Sequence, residues 1–288
     1  MDYGDGWCRV PWFMSGLADL FPAGDHRFHL TLKRGDPRDF FCCQDATGFI
    51  LAERARWLGA GPARYAALSP EGAPLLAEFA ELCVAWGVVA SESEGTARSF
   101  VDARRAADPV ALGAALEPDF LLLSRDEAGA FRLRGGALCF PTGWALEEKM
   151  GRTLDFIHGV VPGLNAALAS PIHQFLSKLK PGVAFCRDNW GLAATDELNL
   201  HPSRAVRPPA PPVALDRLWL RVEHQTLVAL PRSHGVVFGL RIALHRLDDI
   251  ARDRPVAAGL RRALAAMPAE LVVYKRLDRV REALLALL

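Results

Sequence analysis

Residues 217–247 read "RLWLRVEHQTLVALPRSHGVVFGLRIALHRL". Two runs rich in valine, leucine and isoleucine flank a short Arg-Ser-His-Gly connection, the pattern of two antiparallel strands. In the first run a period of two puts Leu220, Val222, His224 and Thr226 on one face, and Arg221, Glu223 and Gln225 on the other. Both faces cannot look into one pocket, so either the Arg221/Glu223 pair or His224 stands toward any chemistry, unless a bulge re-aims the strand.

Working outward, "VAFCRDNWGLA" (183–193) reads as a third strand, and "FLLLSR" (120–125) with "AFRLRGGALCF" (130–140) as a hairpin closed by a "DEAG" turn. Between the hairpin and the three later strands, "WALEEKMGRTLDF" (144–156) and "LNAALASPIHQFLSKLK" (164–180) have helical spacing. Pro171 is expected to break or kink the second helix, and Lys180-Pro181-Gly182 to stop it. Two strands, a helical crossing and three strands is the element order of a PAS domain. The expected fold class is therefore α+β, a PAS-like antiparallel five-stranded sheet with helices over one face and helical N-terminal and C-terminal extensions.

The N-terminal extension is expected as a mainly helical layer over 1–117, through "ATGFILAERARWLG" (46–59) and "GAPLLAEFAELCVAWGVV" (72–89), with Ser69-Pro70 opening the latter. The PAS-like core spans 118–250, and 251–288 returns to helix. "HPSRAVRPPAPPV" (201–213) reads as a surface connection with His201 in solvent.

Composition narrows the function. Hydrophobic residues at 51% and charged residues at 23% describe a globular protein able to bury a large core. A net charge of +1 leaves no electrostatic footprint for nucleic acid or anionic lipid. No stretch is apolar enough to span a bilayer, and "MDYGDGWCRVPWFMSG" lacks a signal peptide's basic and apolar regions, so a cytoplasmic protein without a membrane partner is expected. The six cysteines form no C-x-x-C pair and are read mostly as buried thiols. P-loop, G-x-S-x-G and H-E-x-x-H motifs do not occur. His26 and His29 in "HRFH" are two histidines without further ligands in order, usually just a polar stretch.

The blocks "ALCFPTGWALEEKMGRTLDFIHGVVPGL" (137–164), "RDNW" (187–190) and "LRVEHQTLVALPRSHGVVFGLRIALHRL" (220–247), in that order, resemble the haem-dependent oxidative N-demethylase family. "VPWFMSGLADL" (10–20), "LAERARWLG" (51–59) and "AELVVYKRL" (269–277) agree with it more weakly. The resemblance implies a haem b in the PAS-like core, dioxygen as oxidant, a small-molecule amine losing an N-alkyl group or being N-oxidised, and electrons from a separate flavin or iron–sulfur reductase. A haem-PAS sensor or binding module without turnover is the alternative in another class. One position departs from the family, whose motif usually reads Arg-Val-Glu-Arg-Gln-Thr: here His224 replaces the second arginine.

From the residues alone, His158 reads as a core histidine bonded to a backbone carbonyl; the resemblance implies the axial ligand of haem iron, with Phe156 and Val161 lining the pocket. It likewise implies that Arg187 binds a propionate, that Glu223 holds a cationic amine, and that Arg221 offsets charge near the iron or a propionate. His224 is either a satisfied core group or a further acid, base or ligand. His173 is a reserve ligand candidate, and Trp190 is read as packing.

Overall fold

The computed structural model describes residues 16–21, 24, 26–89 and 108–288. The expected helical stretch over 90–107 and most of the block 10–20 lie outside the described residues. The described chain forms one seven-stranded antiparallel sheet in the order β1-β5-β6-β7-β3-β4-β2. Its strands are β1 (Lys33–Gly35), β2 (Ala66–Leu68), β3 (Asp119–Arg125), β4 (Phe131–Ala137), β5 (Ala184–Ala193), β6 (Trp219–Ala229) and β7 (Val236–Arg246). The fold is α+β, but the sheet is not the five-stranded PAS-like one the element order suggested. The five expected strands run contiguously, and the two additional ones are three residues each, too short for a period of two to register in sequence. Both come from the N-terminal region, read as helical, and cap opposite edges of the sheet.

Helices α1 (Pro37–Phe41), α2 (Phe49–Ala60), α3 (Pro62–Tyr65), α4 (Ala73–Ala85) and α5 (Pro109–Ala115) precede the hairpin. Their Phe40, Phe41, Leu76 and Phe79 pack with Phe120, Leu122, Val228 and Val237 of the sheet. The approach is close enough that a Cβ on Gly239 would lie 2.7 Å from the Phe40 ring, so only glycine fits that strand position. Under this layer, Arg54 of α2 and Asp119 of β3 form a fully buried ion pair of 2.5 Å. Asp119 also accepts from the backbone N–H of Cys139 (2.6 Å) and Phe140 (2.9 Å), which satisfies the carboxylate on several sides.

The crossing is α6 (Leu146–Lys149), α7 (Leu154–His158) and α8 (Leu164–Ser177). It covers the other sheet face, where Leu121, Leu123, Leu133 and Leu240 meet Leu154 and Leu176. The C-terminal helices α9 (Leu247–Arg252), α10 (Arg254–Ala266), α11 (Ala269–Tyr274) and α12 (Arg281–Leu287) return to the first face and bury Leu220 and Val222 of β6. Helices therefore lie on both faces of the sheet rather than one.

Two local expectations are corrected, and that for the cysteines holds for most of the described ones. Pro171 sits inside α8 without ending it. Both Pro171 and Ala167, whose carbonyl loses its helical donor, are on the exposed side, where water can take that donor's place. His201 is buried, with its ring edge-on to Tyr65 at 5.5 Å and Nε2 3.2 Å from Glu147. Cys83, Cys139 and Cys186 are buried thiols, but Cys43 is exposed and Cys42 is disulfide-bonded. Among the described residues, no helix is long and apolar enough to cross a membrane.

Candidate functional site

His158 ends α7, a five-residue helix opened by Thr153, whose Oγ1 accepts from the Phe156 N–H at 3.2 Å. The helix turns Leu154 and Ile157 into the core beneath the sheet. It is tied to α8 twice: Asn165 donates to the Asp155 carbonyl (2.7 Å), and His173 Nε2 meets the Asp155 carboxylate (3.0 Å). Beyond His158 the chain reverses through Gly159–Gly163, and Gly163, at φ +76°, opens α8. The His158 ring bonds to no described residue, so the carbonyl partner expected from sequence alone is not there. Burial, then the positive charge of Arg187, holds the imidazole below its ordinary pKa and so in the neutral form.

Arg187 comes from β5, and the pairing register puts it opposite Gln225, with Asn189 opposite Glu223. Directly opposed residues share a face, so these four line the side of the sheet facing the crossing. Asn189 and Gln225 both donate to Glu223 Oε2, at 3.1 and 3.0 Å, and leave Oε1 without a bond to a described residue. Burial pulls the Arg187 guanidinium below its usual pKa, while Glu223 and Asp188 pull the other way. Even so, the guanidinium has neither a hydrogen bond nor an ion pair with any described residue.

The outer edge of β5 pairs with β1 only over Ala184–Cys186. Along the rest of that edge comes Lys275, whose Nζ donates to the Trp190 carbonyl at 2.5 Å and lies 5.3 Å from the Trp190 ring centre. Burial lowers the lysine's pKa, Glu223 raises it, and Arg187 lowers it further. Burial, then the charge of Glu223, raises the neighbouring Tyr274 phenol. His26 lies near enough to Lys275 for the lysine's charge to lower its pKa, and its Nε2 is buried without a partner among the described residues.

The other predicted residues are placed as follows. Arg221 is buried, and its guanidinium donates to Thr142 Oγ1 (2.9 Å) and to the carbonyls of Phe140 (2.9 Å), Leu198 (2.7 Å) and Glu197 (3.3 Å). These bonds tie β6 to the loops at 138–145 and 194–201 and occupy the group, in place of the pocket role expected for it. His224 stands on the opposite face from Glu223, with Nδ1 2.6 Å from Asp188. Phe156, expected in the pocket, is 51% exposed, its ring flanked by Lys149 and Arg152. On so short a helix, only the side carrying Leu154 and Ile157 can face inward. Val161 is partly buried against the C-terminal cluster beside Phe28, and Trp190 packs edge-on against Phe21.

Asn189, Gln225, Lys275 and His26 were not singled out from the sequence as site residues. For Gln225 a signal existed, since strand parity groups it with Glu223; parity groups Asn189 only with Arg187, and its place opposite Glu223 comes from the register. For Lys275 the only signal was its presence in "AELVVYKRL"; His26 was noted in "HRFH" and read as a polar stretch.

One neutral imidazole without a partner among the described residues, near the half-buried Arg187, which itself lies near the half-buried Lys275, suits an anionic cofactor ligated through a single protein nitrogen. Haem fits that donor set: one histidine would hold the iron and the cations would answer the propionates. Among the described residues, no group of three or more His, Cys, Asp or Glu could hold a bare metal ion, and a porphyrin does not require one. The family described as haem-dependent oxidative N-demethylase, alpha subunit-like, matches residues 92–285. The chain belongs to that family. The match takes in every site residue named above except His26, and it begins after the N-terminal blocks.

The histidines carry a pH prediction. His26, His158 and His245 all have pKa values lowered first by burial, from an ordinary 6.5. The unfolded chain therefore binds more protons than the fold below that value, and stability falls as pH drops through it. Thermal unfolding of the haem-free protein is expected to show a midpoint several degrees lower at pH 5.5 than at pH 7.5. Replacing His158 by Phe should shrink the difference; a flat profile would contradict the neutral-buried assignment.

Proposed function

We propose that this chain is the haem-bearing component of an oxygenase that oxidises a small amine, by N-dealkylation or N-oxidation, using dioxygen and electrons from a separate flavin or iron–sulfur reductase. The observation that carries the reading is the nearness of His158, neutral and without a hydrogen bond to a described residue, to Arg187, half-buried and without a counter-ion among the described residues. Haem b, when bound, supplies the one-electron and dioxygen chemistry that side chains lack.

His158 would hold the iron through a ring nitrogen, and its neutral state means that no proton need leave before it binds. Arg187 would answer a propionate. Glu223 is fixed by Asn189 and Gln225 on one oxygen, so its second oxygen is available to orient a protonated amine. Leu240 and Ile242 of β7 neighbour this shelf in the register and keep it apolar on one side, which strengthens the ammonium–carboxylate attraction.

Two measurements test the proposal together. Titration of the purified protein with haem should give a Soret band saturating at one haem per chain, and product should form only when an electron donor and oxygen are both supplied. Glu223→Gln should keep the haem spectrum while raising the amine KM about tenfold or more, the effect of removing a charge-assisted contact. No stoichiometric Soret band would sink the reading. Haem uptake without donor-dependent product would favour a haem-binding module instead.

A further inference from the structure

We propose that Arg187 and Lys275, with His26 beside the lysine, form a carboxylate-binding subsite at the open edge of β5, next to Glu223. The inference rests on the haem reading above and joins Lys275 and His26 to the Arg187 that reading already uses.

Lys275 follows α11 and reaches the β5 edge with one hydrogen bond, to the Trp190 carbonyl. An ammonium has three N–H groups, so two remain without a bond to a described residue. Arg187 offers five N–H groups and bonds none of them to a described residue. His26 Nε2, sealed from solvent, has no described partner either. His26 Nε2 is the buried orphan of the three, and with the half-buried Arg187 and Lys275 carrying unbonded donors among the described residues at the same edge, the cluster points to an acceptor that binds there.

Charge points the same way. Arg187 disfavours the charge of Lys275, and Glu223 is the acid both respond to. Asp188, the other acid near Arg187, is bonded to His224 on the opposite face. Two cations facing one shared carboxylate, itself engaged by two amides, leave room for one more negative charge. The planar guanidinium fork favours a carboxylate as its bearer. Two sources offer that chemistry: a haem propionate, or a substrate carrying a carboxylate beside its amine, an N-alkyl amino acid whose ammonium meets Glu223.

The test compares matched ligands by absorbance titration. Haem-free protein is titrated with haem and with haem dimethyl ester. Haem-loaded protein is titrated with N-methylglycine and with N-methylethylamine, in which a methyl group replaces the carboxylate. If the subsite takes a propionate, haem binds about tenfold or more tighter than its ester, and Lys275→Met erases most of that preference. If it takes a substrate carboxylate, haem and ester bind alike, N-methylglycine binds about tenfold or more tighter than the amine, and Lys275→Met erases that difference. In either case Lys275→Arg restores the preference. Equal affinities within both pairs, or a preference that Lys275→Met leaves intact, overturn the inference alone. Protein that takes up neither form of haem overturns the haem reading and this inference with it.

Discussion

Protein carrying His158→Ala is expected to bind haem at least about a hundredfold more weakly than wild type, and to show a shifted Soret band in whatever haem it retains. The ring is the one imidazole that the crossing presents without a bond to any described residue, and burial with the nearby Arg187 keeps its lone pair free of a proton. No neighbouring histidine is placed to replace it. His173, the reserve candidate, is bonded to Asp155, and His224 lies across the sheet against Asp188. Free imidazole should restore the spectrum of the variant by entering the volume the side chain leaves. His224→Ala, the control, should keep the wild-type haem spectrum. If His224→Ala loses haem while His158→Ala retains a normal spectrum, the ligand assignment is inverted.

Arg221→Met should cost stability, not selectivity. The substitution takes a donor from three backbone carbonyls and from Thr142, all in partly or fully buried surroundings. Each polar group orphaned in this way costs about 1–3 kcal/mol, so a total loss of ~3 kcal/mol or more is expected even after the desolvation cost of the cation is removed. Burial already presses this guanidinium's pKa down to about 10, and it remains protonated at neutral pH. Chemical denaturation would show a lower midpoint, while the haem affinity of the fraction that folds stays within a few-fold of wild type. A variant of full stability with lost turnover would return Arg221 to the chemistry.

These two arginines, 187 and 221, show where sequence reading reaches its limit. Both lie in strands, and the register gives both the face of Glu223. Their surroundings differ because the loops at 138–145 and 194–201 offer carbonyls to Arg221, whereas no described backbone carbonyl accepts a hydrogen bond from Arg187. Phe156 and Ile157 are similarly indistinguishable as apolar neighbours in sequence, and one faces solvent while the other joins the core. In a helix of five residues there is too little periodicity to tell which.

What the sequence by itself determined is what local alternation encodes. The five longer strands, their antiparallel sense and the separation of Glu223 from His224 follow from a period of two, because successive side chains on a strand must point to opposite faces. The ordered blocks also carried the family. What only the tertiary structure decided depends on contacts between distant segments: two three-residue strands capping the sheet, helices on both faces, and the meeting of Lys275 with the Trp190 carbonyl 85 residues away. The reason is that the pattern of a strand records which face is buried but not which segment buries it. The partner of each charged group is set by how the chain closes on itself.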